Sequence, residues 1–236
     1  CSSDLNVFRQ AWQRQPNWDE AMKTMFKAVL VTPKFLFIEE AVRADTKEPR
    51  QMDSHEMASR LSYFLWSSMP DDELLRLADK QQLSNAATLN TQIRRMLADP
   101  KSNQLVTNFF GQWLGLRDLK NLTPDPAAYP DFDDSLREAF YRETMMFLDS
   151  QVRDDHGIGE LLNANYTFLN ERLARFYGIS GVYGPHFRRV PLTDPNRFGI
   201  LGQGAILTVT SYSTRTSPVV RGKWLMTNVL GSPPPP

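Results

Sequence analysis

Asp133-Asp134-Ser135-Leu136-Arg137-Glu138-Ala139-Phe140-Tyr141-Arg142-Glu143-Thr144-Met145-Met146-Phe147-Leu148-Asp149-Ser150-Gln151-Val152 is the stretch whose reading decides the fold class. Leu136, Phe140, Met145 and Phe147 recur at helical spacing, and Asp133 stands where a helix needs an N-cap acceptor. The reading is a helix over 134–152. Glu143 shares it with Phe140 and Phe147, so a carboxylate lies close to a buried face. Buried carboxylates are functional or paired, and an internal salt bridge to an arginine is expected here.

The same periodicity extends outward on both sides. Trp18, Met22, Met25, Phe26 and Val29 mark a helix from Trp18 to about Leu30; Pro33 breaks it and Phe35-Leu36-Phe37 continues its apolar face. Asp53-Ser54-His55-Glu56 is a capping box that opens a helix to about Trp66, with Leu61, Phe64 and Leu65 inward. Pro70-Asp71-Asp72-Glu73 starts another, with acids at its positive end. Further helices are expected at 87–98 and 102–114. The loop Leu119–Asp134, with Pro124, Pro126 and Pro130, separates a second part of shorter elements. Leu169–Tyr177 reads as a helix stopped by Gly178 in a left-handed cap. Phe187–Leu192 reads as a short strand, and Gly199–Thr208 suits a helix or a strand. Ser217-Pro218 is a strong start for a helix that runs to about Leu230 and ends at Gly231.

The fold class expected is therefore mainly α: a helical bundle with a smaller, mostly helical C-terminal part containing a short strand region. Residues 1–45 read as the end of a preceding helical domain and 46–183 as a helical domain. Residues 184–231 read as a small domain packed on it, and 232–236 as a proline-rich linker in an extended helix.

Composition excludes several functions. With 236 residues the chain can bury a core as one large or two small domains. Aromatic residues at 11% are too many for a disordered chain. No stretch approaches the roughly 18 apolar residues of a spanning helix. Lys+Arg and Asp+Glu both number 27, so no global field draws the protein to nucleic acid or anionic lipid. The single cysteine, Cys1, excludes an internal disulfide and a thiolate metal cluster. Cys1-Ser2-Ser3 reads either as a processed lipoprotein terminus or as the edge of a fragment. The missing initiator Met and the final Pro233–Pro236 run favour a piece of a larger protein. Charge is uneven along the chain. Residues 118–160 hold 11 acids against 4 bases, whereas 186–236 hold 6 bases against Asp194 alone. This split could draw the two parts together or make the C-terminal part an anion-facing surface.

Four motif groups occur together: Leu61-Ser62-Tyr63-Phe64-Leu65-Trp66 with Pro70-Asp71-Asp72-Glu73-Leu74; Asn108-Phe109-Phe110-Gly111-Gln112-Trp113-Leu114 with Leu116-Arg117-Asp118-Leu119; Asn165-Tyr166-Thr167-Phe168-Leu169-Asn170-Glu171-Arg172-Leu173-Ala174 leading to Tyr177-Gly178; and Arg215-Thr216-Ser217-Pro218 with Arg221-Gly222-Lys223-Trp224 and the proline run. On these motifs the chain resembles the paired uncharacterised domains of large planctomycete-type cytochrome-associated proteins, domain-of-unknown-function families 1592 (about 54–180) and 1588 (about 185–236). The first 40 residues resemble the end of a third domain. The resemblance implies export to the periplasm or beyond, flanking domains in the same polypeptide, and a cytochrome c module as company. It implies no reaction. Cys-x-x-Cys-His is absent, so no cofactor is expected in this chain, and a c-type haem would belong to another module.

Candidate sites are few. His55, His156 and His186 have no metal-ligand spacing. Asp125, Asp131 and Asp133, with Asp134, crowd one loop and are weak metal candidates, but Phe132 interrupts them and Asp133 suits a cap. Ser211, Ser213 and Ser217 lie close in sequence with no identifiable base and no nucleophile elbow. Gly199, Gly202 and Gly204 approach a phosphate-loop pattern but suit close packing. The best ligand-binding candidate is an anion site at Arg215, Thr216, Ser217, Arg221 and Lys223, where hydroxyls and cations meet a helix start. Arg215 could equally pair with the acidic 118–160 region. Asn165, Tyr166 and Asn170 form a second polar cluster, in which Asn170 suits a helix cap. The leading reading is a non-catalytic scaffold or ligand-binding module beside a cytochrome-type carrier. The alternative is an enzyme, a polysaccharide-directed hydrolase or an oxidoreductase accessory, with its site between Arg215 and the acidic loop 125–134. A third, a haem-contacting surface, would expose an apolar patch ringed by charge.

Overall fold

Buried residues at Leu136, Ala139, Phe140, Glu143, Thr144, Phe147, Leu148 and Gln151 form one stripe along the helix behind Asp133. They follow the three-and-four spacing of a face that must meet other elements. The computed structural model describes residues 2–14, 16–37 and 51–235. Cys1 and a boundary near residue 45 lie outside the described residues.

In chain order the helices are α1 (Ser2–Arg14), α2 (Trp18–Leu30), α3 (Pro33–Leu36), α4 (Ser54–Trp66), α5 (Asp72–Asp79), α6 (Ala86–Ala98), α7 (Gly111–Trp113), α8 (Asp134–Arg153) and α9 (Glu160–Asn163). Strand β1 (Tyr166–Leu169), α10 (Glu171–Tyr177), strand β2 (Arg188–Pro191), α11 (Gly204–Val209) and α12 (Pro218–Trp224) complete the order. The fold is mainly α. Its two strands pair antiparallel, Thr167 opposite Val190 and Leu169 opposite Arg188.

Caps set the helix starts. Asp53 and Glu56 close the capping box of α4 in both directions, Asp71 caps α5, and Asp133 accepts from the Leu136 N–H at 2.7 Å. Asn170 caps α10 and Gly178 ends it at φ 71°, so the helix begins at Glu171 and Leu169 belongs to β1. The inward face of α4 is Ser54, Ala58, Ser62, Leu65 and Trp66. Phe64 instead points outward, its ring edge-on to Phe109. The expected 102–114 helix divides into a 3-10 turn at Pro100–Ser102, a widened π-helical stretch at Leu105–Phe110, and α7. Across that stretch Phe109 stacks on Trp113 and meets Phe110 edge-on, and Phe110 leans against Trp113.

Two apolar clusters result. One joins Ala58, Leu65, Trp66, Leu74, Leu83, Met96 and Leu105. The larger wraps α8 with Leu114, Leu116, Leu169, Leu173, Val182, Ile200, Ala205 and Ile206, so 184–231 shares its core with the preceding segment. The C-terminal helix is fastened by side chains. Trp113 Nε1 donates to the Asn228 carbonyl at 2.6 Å, Asn228 Nδ2 returns a bond to the Trp113 carbonyl at 2.7 Å, and Trp224 Nε1 donates to the Leu114 carbonyl. Beyond α12 the chain continues as a π-helical turn at Leu225–Val229.

The ascent to α11 needs glycine. A Cβ on Gly204 would meet the Phe140 ring at 2.3 Å, and one on Gly199 would meet the Leu162 backbone at the same distance. Phe140 is 3% exposed and cannot retreat. Gly204→Ala is therefore expected to destabilise the fold by about 2–3 kcal/mol, read as a shift of the urea midpoint at unchanged slope. An unchanged midpoint would mean that α11 does not rest on α8 as described.

Candidate functional site

Phe140 on α8, Phe176 and Tyr177 at the end of α10, and Leu207 on α11 form the apolar floor of a cleft of about 440 Å³. One wall is the proline-rich loop 122–132, and the other is Thr208, Ser211, Tyr212, Ser213 and Thr216. The Asp125 N–H donates to the Ser213 carbonyl at 2.8 Å and ties the two walls along one edge. Arg197 and Arg221 also face the cleft. A concave site with an apolar floor and a few polar groups is the usual form of a small-molecule site. A second hollow, lined by Arg117, Lys120, Asp134, Arg137 and Glu138, carries both signs of charge. Its Arg137 is already committed to Asp134, to the Leu122 carbonyl and to the Phe132 ring.

Behind the floor lies the buried carboxyl of Glu143, 1% exposed. Thr167 Oγ1 donates to its Oε1 at 2.7 Å, and the Tyr177 hydroxyl donates to its Oε2 at 2.6 Å. The Gly204 N–H donates in turn to the Tyr177 oxygen at 2.7 Å. Burial pushes the Glu143 carboxyl up to about 7 against the pull of both hydroxyls, which favour the ion. Burial, and then the neighbouring carboxylate, push the Tyr177 phenol well above its ordinary value. The expected salt bridge is replaced by these hydroxyl bonds. The Arg197 guanidinium stands over the Tyr177 ring at 4.2 Å and donates to the Gly202 carbonyl. Next to this group Gln203 is 2% exposed, and neither of its amide atoms has a hydrogen-bond partner.

The sequence candidates divide. Thr216 and Arg221 line the cleft, Arg221 with its Nε 3.3 Å from Thr210 Oγ1. Ser217 is buried and spends its hydroxyl on the Val220 N–H at the start of α12. Lys223 is exposed, as is Arg215, whose guanidinium lies 4.9 Å over the Tyr212 ring. Among the described residues no carboxylate pairs with Arg215. Asn165 offers its carbonyl to the Leu192 N–H, and Asn170 caps α10. Tyr166 packs against the Arg189 guanidinium, and its hydroxyl accepts from Gln151 Nε2 at 2.6 Å. Of the acidic loop, Asp125 accepts from the Ala127 N–H, and Asp133 both caps α8 and takes Arg172 at 2.8 Å. Asp131 stands exposed at the cleft edge. No group of three or more possible metal ligands occurs among the described residues. Arg197 and Tyr177 escape a reading of the sequence. A tyrosine just before a helix-ending glycine is the only signal for either.

A family model described as PSD4, protein of unknown function (DUF1592), matches residues 52–179, and one described as PSCyt3, protein of unknown function (DUF1588), matches residues 197–236. No curated protein and no solved structure matches the chain.

The Glu143 carboxyl makes stability depend on pH. Its value is about 7 when folded and 4.5 ordinarily, so between these the native chain keeps a proton that the unfolded chain has lost. Stability from this group is therefore full below pH 4.5 and declines until about pH 7, by about 3 kcal/mol in all. Glu143→Gln is expected to flatten the profile of unfolding free energy between pH 5 and 7.5. An undiminished slope in the variant would assign the dependence to another group.

Proposed function

We propose, for a chain that belongs to the PSD4 family of unknown function (DUF1592), that it is a non-catalytic ligand-binding module of a larger multidomain protein. The cleft between loop 122–132 and the 207–216 segment is its site. One observation carries this reading: the floor is aromatic and apolar, while the buried titratable group lies behind it, sealed by Tyr177.

An acid or base must come within hydrogen-bond reach of the atom it serves. Glu143 is not among the residues that face the cleft, and no histidine faces it either. Two of the five wall hydroxyls are turned back on their own helix: Thr208 donates to the Gly204 carbonyl and Ser211 to the Leu207 carbonyl. These features favour holding a molecule over transforming it, and set the binding reading ahead of the polysaccharide-directed enzyme.

The name of the second matching family, PSCyt3, and the motif resemblance support a place beside a cytochrome-type carrier in an exported protein, with flanking domains of the same polypeptide as partners. No helix of the described residues is long and apolar enough to cross a membrane.

A thermal-shift screen of the chain against neutral and charged aromatic, aliphatic and sugar compounds tests the reading. A true ligand at 100 times its dissociation constant is expected to add about 2.7 kcal/mol, a rise of roughly 2–4 °C in Tm for each kcal/mol. Leu207→Trp and Ser213→Trp, which fill the cleft from floor and wall, are expected to abolish the rise. A rise that survives both would place the site elsewhere, and turnover of a bound compound would restore the enzyme reading.

A further inference from the structure

We infer that the ligand of the cleft is a small organic acid, its carboxylate held by Arg197 and Arg221 and its apolar body laid on the aromatic floor. The inference rests on the ligand-binding reading above and adds the chemical class.

Several arginines elsewhere pair with carboxylates, Arg95 with Asp71, Arg153 with Asp149, Arg172 with Asp133 and Arg175 with Glu171, while Arg142, Arg189 and Arg215, which do not line the cleft, lie against aromatic rings. Among the described residues Arg197 and Arg221 have no carboxylate within 4 Å. Each is half-buried, and each is held in place by a single weak bond. Arg197 donates to the Gly202 carbonyl at 3.3 Å and Arg221 to Thr210 Oγ1 at 3.3 Å. A guanidinium carries five N–H donors, so most of each fork is unspent. Arg197 is further immobilised by stacking on Tyr177. A fork already ordered loses little freedom on binding, and charge-assisted bonds in a partly dry site are the strong ones.

Glu143 feels the Arg197 charge, but neither it nor Asp131 stands within ion-pair distance of Arg197 or Arg221. Asp131 reaches the cleft edge but stays exposed, and its carbonyl is taken by Arg172. Glu143 is separated from the cleft by the Tyr177 ring and takes its bonds from Tyr177 and Thr167. The floor of Phe140, Phe176, Tyr177 and Leu207 makes a bare inorganic anion a poor fit, because most of the lining would gain nothing from it. A carboxylate with a ring or a short alkyl body satisfies both halves of the site.

Isothermal titration calorimetry on the whole chain with 4-phenylbutyrate, 4-phenylbutanol and acetate tests the assignment. The acid is expected to bind at least tenfold tighter than the alcohol, and acetate more weakly than either. Arg221→Gln is expected to weaken the acid about tenfold while leaving the alcohol within twofold, and Arg221→Lys to recover part of the loss. Equal affinity for acid and alcohol, or equal loss of both in Arg221→Gln, would overturn the assignment while leaving the cleft as a site. Failure of all three probes to bind the unaltered chain would overturn the assignment and count against the cleft itself.

Discussion

A carboxyl group taken out of water must be satisfied by its neighbours, and in this fold that requirement brings four elements to one point. Glu143 on α8 is met by Thr167 from β1 and Tyr177 from α10, and Tyr177 is met by the backbone of α11 at Gly204. An unmet buried carboxylate costs several kcal/mol, so these bonds act as conditions on the packing. They fix the height of α11 over α8 and the tilt of the Tyr177 ring. That ring is also the floor of the cleft, so the polar knot and the apolar site are two sides of one residue.

Local signals make most of the fold legible. Asp53, Asp71, Asp133, Asn170 and Ser217 each announce a helix start by a mechanism that needs no distant partner, and each caps the helix that follows it. The strand at 188–191 is legible by itself. Its partner is hidden, because Tyr166–Leu169 sits directly before a cap and reads as the run-in to a helix. The burial of Glu143 is legible from its place between Phe140 and Phe147, but its partners are not. Thr167 and Tyr177 lie 24 and 34 residues away, and no pattern along the chain connects them. Arg197 is hidden for the same reason: its role comes from standing over Tyr177.

The opposed charges of 118–160 and 186–236 suggest that ion pairs would hold these parts together. Across that divide Arg142 instead lies against the Phe187 ring, and two arginines of the second part cover rings of the segment between them. Arg142 lies 4.6 Å from the Phe187 ring centre, Arg189 lies 3.6 Å from that of Tyr166, and Arg197 covers Tyr177. A guanidinium is weakly hydrated and flat, so it can cover a ring while its edge stays in water. The acids of 118–160 are left for helix caps, for pairs with Arg137, Arg153 and Arg172, for solvent and, at Glu143, for buried hydroxyl bonds.

The contact between Phe140 and Gly204 also bears on how such sequences can diverge. The ring occupies the space where any other residue at 204 would place its first carbon. Neither position can change alone without either a collision or a void beneath the cleft. In relatives of this chain the two positions should therefore behave as one character, a large residue at 140 with glycine at 204, or both replaced together. The size of the residue at 140 would then set, and reveal, how deep the cleft floor lies in each relative.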